Sequence, residues 1–270
     1  LGIVRFSRGD VEGAGDLFDQ AAEMRVELLG ESDAATAESL NNLASVRFQL
    51  GELEVAESLF RRALATYREL YGDDHRDTIN NLGNLATVLF AAGDLQAAEA
   101  LHRQVLAARR RLQGDDHPEV AASLNNLADI ERARGDHASA IADFERAAEL
   151  YGQSLGAAHP RRGAVLLNLG DTLRAAGQAA RAESIYREAL ELFRAAYPQG
   201  HWRTGHALMR LGELLAQRDD CAAAVLFFEQ AVVVRQASYD GGHPRIGEAQ
   251  DALDTCQEKL GLKADRRTGE

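Results

Sequence analysis

Leucine returns at a fixed interval along this chain. Leu1, Leu43, Leu85, Leu127, Leu169, Leu211 and Leu253 are each 42 residues apart, and a second series, Leu40, Leu82, Leu124, Leu166 and Leu208, runs three residues ahead of the first. Spacing of i, i+3 puts both on one stripe of an α-helix. The residue after the first series is small at Gly2, Ala44, Ala86, Ala128, Gly170 and Gly212, so a partner helix can approach closely there. A second stripe keeps the same interval. It consists of Ala14, Ala56, Ala98, Ala140, Ala182 and Ala224; then, four residues on, Phe18, Phe60, His102, Phe144, Tyr186 and Phe228; then, three further, Ala21, Ala63, Val105, Ala147, Ala189 and Ala231. Ala, aromatic, Ala at i, i+4, i+7 is the inner face of an amphipathic helix. The pattern predicts a two-helix hairpin repeated without insertion or deletion, each unit packing on its neighbours.

Punctuation keeps the same period. Gly9, Gly51, Gly93, Gly135 and Gly177, with Asp219 in the sixth place, stop a first helix (helix A) of 16 residues, such as Arg76 to Ala91. Glycine suits the left-handed cap that ends a helix. Asp10, Glu52, Asp94, Asp136 and Asp220 open helix B, where a carboxylate complements the N-terminal dipole. Helix B ends at Gly30, Gly72, Gly114 or Gly156. Asp33, His75, His117, His159, His201 and His243 mark the next turn, and Pro118, Pro160 and Pro244 fall in the first turn of helix A, where proline is tolerated.

These columns resemble the tetratricopeptide repeat, whose signature of Leu, small residue, then Ala, aromatic, Ala is met at Leu124, Leu127, Ala128, Ala140, Phe144 and Ala147. The 42-residue length and the stretches Gly114 to Pro118 and Ser123 to Ala128 are similar to the kinesin-light-chain subclass. The resemblance implies an all-α, right-handed superhelical solenoid of antiparallel helical hairpins. One array is expected over residues 1–260, with a truncated repeat at 1–33, full repeats at 34–75, 76–117, 118–159, 160–201 and 202–243, and a capping helix at 244–260. Residues 261–270 are expected to form a disordered tail. Leu1-Gly2 matches the middle of helix A, so the chain is expected to be the C-terminal part of something longer, opening on a helical stub from Leu1 to Arg8. The stub brings the expected total to thirteen helices. Gln250 and Asp254 replace the leucine and small residue of the last helix A, the polar signature of a cap on which nothing further packs.

Composition narrows the function. Hydrophobic residues make up 46% and charged residues 27%, as in soluble folded chains. A net charge of −12 repels phosphate backbones, which argues against nucleic acid as a partner. No apolar run is read as approaching the roughly 18 residues of a membrane span, so no membrane role is expected. Cys221 and Cys256 lack metal or redox spacing and are read as reduced packing residues of a cytoplasmic protein. The five histidines stand one repeat apart, on the order of 10 Å or more, too far to share a metal ion. They are expected to cap or pack within their own turns. No cofactor is expected, and no nucleophile–base set or phosphate loop stands at a meaningful spacing.

The candidate binding residues lie on helix A. Asn42, Asn84, Asn126 and Asn168 form a column, with Asn41 and Asn125 beside it. The resemblance implies that this position faces a concave groove, where an amide, both donor and acceptor, holds the backbone of an extended peptide. The competing reading has the amides bonding to a neighbouring helix A and stiffening the stack. One turn on, the face carries Ser45, Thr87, Asp129, Asp171 and Glu213, then Phe48, Phe90, Arg132, Arg174 and Ala216, and Arg210 takes over the asparagine column. Asp129 with Arg132 and Asp171 with Arg174 are i, i+3 pairs able to satisfy each other. Neither the uniformly basic groove of kinesin-light-chain type nor a lysine clamp for a C-terminal carboxylate is present; Asn41, Gly83, Asn125, Leu167 and Met209 stand at the clamp positions. Trp202, in place of a turn proline, is read as a packing plug. The expected function is a scaffold binding a protein or peptide in its groove. The alternative is a C-terminal sensor or docking arm of a larger bacterial signalling enzyme, a serine/threonine kinase or signalling ATPase, whose arrays turns like Gly200 to Arg203 resemble.

Overall fold

The computed structural model describes residues 11–198, 200–239 and 241–262. The stub expected at Leu1 to Arg8 and the tail from 263 onward lie outside the described residues. Among the described residues there are twelve α-helices and no strand. They form two compact units, Leu1–Arg134 and Gly135–Glu270, divided at the turn inside the repeat expected at 118–159. The first holds α1 (Val11–Leu29), α2 (Ala34–Gln49), α3 (Leu53–Tyr71), α4 (Arg76–Ala91), α5 (Leu95–Gln113) and α6 (Pro118–Ala133). The second holds α7 (His137–Leu155), α8 (Pro160–Ala175), α9 (Ala179–Ala196), α10 (Trp202–Gln217), α11 (Cys221–Ser238) and α12 (Pro244–Lys259). Within each unit every helix packs on the next along the chain.

The turn residues perform the expected work. Asp33 accepts from the N–H of Ala35 at 2.8 Å, and Nδ1 of His75, His117, His159, His201 and His243 accepts from the N–H two residues on, at 3.2 to 3.3 Å. The histidine column is thus a set of N-caps. Helix A ends in a left-handed residue, as at Gly93 with φ +87°, and the N–H of Asp94 bonds back to Leu89 O at 2.9 Å. Asp219 takes the glycine's place with φ 59°. Asp94, Asp136 and Asp220 each cap helix B through a side-chain oxygen.

Burial follows the two stripes. Phe60, Leu85 and Ile130 in the first unit, and Tyr186, Leu211 and Phe228 in the second, are almost fully enclosed. In the second unit the small-residue column needs glycine: a Cβ on Gly170 would overlap the ring of Tyr186, and one on Gly212 the ring of Phe228. On α12, Asp254 is buried and accepts from Gln250 Nε2 at 2.8 Å. Cys221 and Cys256 are buried free thiols whose sulfurs lie 2.6 Å apart, joining α11 to α12. Burial, and then the contact with Cys221, pushes the Cys256 thiol up to about 12.

One sequence expectation needs correction. By length and composition, Cys221–Ser238 is apolar enough to cross a membrane, because its only charges are Glu229 and Arg235. The helix packs between α10 and α12, and its apolar character feeds both contacts.

Candidate functional site

Asn42, Asn84, Asn126 and Asn168 each stand one residue before a core leucine on helix A, so they sit at the edge of the buried stripe, half-exposed. In the first unit they are joined across repeats. Asn41 Oδ1 on α2 accepts from Asn81 Nδ2 at 3.2 Å and from Asn84 Nδ2 at 3.3 Å, both on α4. Asn42 lies beside Asn41 on the same half-exposed strip. Thr87, one turn beyond Asn84, donates along its own helix to Gly83 O at 3.0 Å. On α6, Asn125 Nδ2 reaches Asp129 Oδ2 at 3.4 Å and Asn126 Oδ1 at 3.5 Å, and Arg132 Nη2 donates to Asp129 Oδ1 at 2.8 Å. The Asp129–Arg132 pair therefore forms as its spacing allows. Phe48 and Phe90 are partly buried against the core and add little open surface.

The second unit wires the same face differently. Asn168 holds its place on α8, and its backbone oxygen accepts from Thr172 Oγ1 at 2.8 Å. Asp171 does not turn to Arg174. It accepts from Tyr186 Oη at 2.6 Å and lies 3.0 Å from Arg210 Nε on the next helix A, while Arg210 Nη1 donates to Glu213 at 3.0 Å. The reason is reach: the buried Tyr186 ring delivers a hydroxyl to Asp171 from helix B, and Arg210 faces it across the stack. Arg174 is left with no carboxylate within 4.0 Å among the described residues. Burial works to lower Arg210, but Asp171 and Glu213 outweigh it and hold its charge firmly. Burial, then Asp171, pushes the Tyr186 hydroxyl well above the ordinary tyrosine range. One turn before Arg210, burial and then Arg210 itself lower His206. Sequence reasoning missed Tyr186, Asn81 and His206 as members of this face. Tyr186 reads from the sequence as core, and the other two occupy columns of mixed type, such as Ser39, Asn81, Ser123 and Ala164, His206, Glu248.

Other features stand apart from the amides. An apolar cleft of 470 Å³ in the second unit is lined by Tyr197, Pro198, Leu208, Val233 and Val234, with Arg194 and Glu229 also on its wall. Trp202 is not the expected plug: it is 36% exposed, with the Arg203 guanidinium 4.6 Å from its ring centroid. Among the described residues no group of three or more His, Cys, Asp or Glu could hold a metal ion.

A tetratricopeptide repeat model matches residues 1–69, 36–111, 78–152 and 119–195, and a second model of that repeat matches 204–245. The chain belongs to the tetratricopeptide repeat family. Among solved tetratricopeptide-like structures, BtubC (BKLC) from P. vanneervenii aligns with a TM-score of 0.66 at 19% identity, covering 96% of each chain. TPR-like repeats of kinesin-light-chain type from Podosopora anserina align at 0.63 with 23% identity, over 73% of this chain and 93% of that one. A Rap protein complexed with competence and sporulation factor aligns at 0.65 with 17% identity, over 97% of this chain and 74% of that one. At these identities the likeness is one of fold. No curated protein sequence matches.

Proposed function

We propose that this tetratricopeptide repeat chain is a binding scaffold, taking an extended peptide segment of a partner protein along its helix-A face. The observation that carries the reading is the column of half-exposed amides at Asn42, Asn84, Asn126 and Asn168, flanked by Asn41 and Asn125. An amide pairs a peptide group in either direction, so a row of them on rigid helices holds a backbone without requiring one side chain. Thr87, Asp129, Arg132, Asp171, Arg174 and Arg210 border the row and would select side chains. Family membership supports the role, and the solved Rap complex shows a chain of this fold holding a factor. We read the chain as binding rather than catalysing, with protein and not nucleic acid or membrane as partner, consistent with its charge of −12. Free thiols at Cys221 and Cys256 suit the cytoplasm. A docking arm of a signalling enzyme would use the same face.

The bonds from Asn81 and Asn84 to Asn41 give the stack-stiffening reading a structural basis, so the test must separate two roles. Peptides selected from a random display library on the immobilised chain are titrated against Asn84→Ala/Asn126→Ala. We expect affinity to fall about tenfold or more, while the loss of weak, half-exposed bonds moves Tm by only a few degrees, about what 1 kcal/mol would do. Undiminished affinity with a clearly lowered Tm would reduce the asparagines to stiffeners of the stack.

A further inference from the structure

Most arginines of the second unit rest on carboxylates: Arg162 on Glu188, Arg181 on Glu145, Arg187 and Arg218 on Glu183, Arg210 on Asp171. Arg161, Arg203 and Arg245 do not. None of the three has a carboxylate within 4.0 Å among the described residues, in a chain with 42 acidic residues to 30 basic. They are 42 residues apart and so hold one position, the second residue of α8, α10 and α12. In the first unit that position holds Ala35, Asp77 and Glu119. An acid there suits the positive end of the helix dipole, and an arginine opposes it. Three successive repeats therefore carry a charge that folding disfavours, and no internal ion pair recovers the cost.

The three belong to one edge. Helices α8 and α10, and α10 and α12, touch one another, so successive arginines stand on the order of 10 Å apart. Trp202 lies between the second and third, its ring centroid 4.6 Å from the Arg203 guanidinium and 6.0 Å from that of Arg245. Arg245 also donates to Tyr239 Oη at 2.8 Å. Stacking on a ring engages the face of a guanidinium and leaves its in-plane N–H donors for a ligand. The turns beneath are braced, with Tyr197 stacked on His201 and Tyr239 on His243, each pair 4.1 Å between centroids.

We propose that the edge formed by Arg161, Trp202, Arg203 and Arg245 is a second docking surface, for an acidic, extended segment of a partner protein. The step of roughly 10 Å between arginines is spanned by about three residues of extended chain, so carboxylates at that interval meet successive guanidiniums, each able to bind bidentately. A polynucleotide is the poorer occupant because the rest of this acidic chain repels it. A second copy is also poorer: of the two acids at the matching positions Glu119 is already engaged, 3.0 Å from Arg109, which leaves Asp77 alone against three guanidiniums. Arg203 is two helical turns, about 10 Å, before Arg210 on the same face of α10, so this edge adjoins the amide row at the start of each helix A, and the proposal does not depend on the amides binding anything.

Trp202 is the single tryptophan of the chain, so its fluorescence reports on this edge alone. Synthetic hexaglutamate, about 20 Å when extended, is the probe. We expect a saturable change in Trp202 emission whose apparent affinity falls about tenfold between roughly 50 and 300 mM NaCl. Arg203→Gln/Arg245→Gln should weaken the titration at least about tenfold while Tm stays the same, because removal of an unfavourable dipole contact offsets the lost ring and Tyr239 contacts. Asn84→Ala/Asn126→Ala should titrate as the wild type does, which separates this surface from the amide face. The proposal is overturned by an unchanged emission at high peptide, by full binding in the double arginine variant, or by a lowered Tm of that variant, which would make the arginines structural. Displacement of hexaglutamate by oligo-dT at a lower concentration than the peptide itself would overturn it in favour of nucleic acid.

Discussion

His102 stands where Phe60 stands one repeat earlier, 2% exposed and with Nδ1 lacking a partner among the described residues. Burial, with Arg109 adding to it, lowers its pKa from 6.5 to about 4. The folded chain therefore keeps a neutral imidazole in a range where the unfolded chain takes up a proton. Above about pH 6.5 both states are neutral and His102 contributes no slope; as pH falls toward about 4, stability drains away, by on the order of 3 kcal/mol in all. His102→Phe restores the aromatic of the column and removes the titration. Urea midpoints at pH 7 and pH 5 should show the wild type losing about 2 kcal/mol more than the variant over that interval. Parallel losses would mean the imidazole is protonated in place. A reader of the sequence sees His102 in an aromatic column, but only the enclosing packing shows that it must stay neutral.

At the scale of elements, the starts and stops of helices were legible because they are written in residues with few other uses. His117 before Pro118 caps α6, Gly93 after α4 takes the left-handed turn, and Asp94 caps α5. The links between hairpins were not legible. Arg25, Arg109 and Arg235 each reach from helix B to a backbone oxygen in the first turn of the next helix A, at Ala35, Glu119 and Arg245. The intervening repeats hold Tyr67, Tyr151 and Phe193 at that position, so the column has no single residue type and no visible period. The small-residue column was legible as a column, but not where alanine would fail. Ala44, Ala86 and Ala128 are accommodated in the first unit, whereas Gly212 lies flat against Phe228. Gly212→Ala should therefore cost about 1 to 3 kcal/mol by overpacking, despite the gain in helix propensity. Thermal unfolding checks the sign: a raised Tm would show that the Phe228 ring yields.

Over the whole molecule, the repeat period predicts the array of hairpins, and the helix-A strip keeps its amides half-exposed while one of its two expected ion pairs re-forms elsewhere. Asp171 leaves Arg174 for Tyr186 and Arg210 because the sequence shows neighbours along one helix but not the helix facing it. A repeat array is stabilised by nearest-neighbour interfaces, so the last interface should behave as a separable term. Helix α12 covers α11 through Cys256 on Cys221 and offers Arg245 O and Glu248 to the buried Arg235. Ending the chain at Gly242 removes that cover, opens the buried side of α11 to water and takes away the bonds that Arg235 makes to α12. We expect a Tm lower by several degrees for the second unit, with helicity reduced by little more than the share of α12. Ellman's reagent supplies an independent reading. In the full chain both thiols are buried, with Cys256 held protonated, so neither should react until the protein unfolds. In the shortened chain Cys221 should react under native conditions. A thiol that stays blocked, together with an unchanged Tm, would show that α11 closes the array without α12.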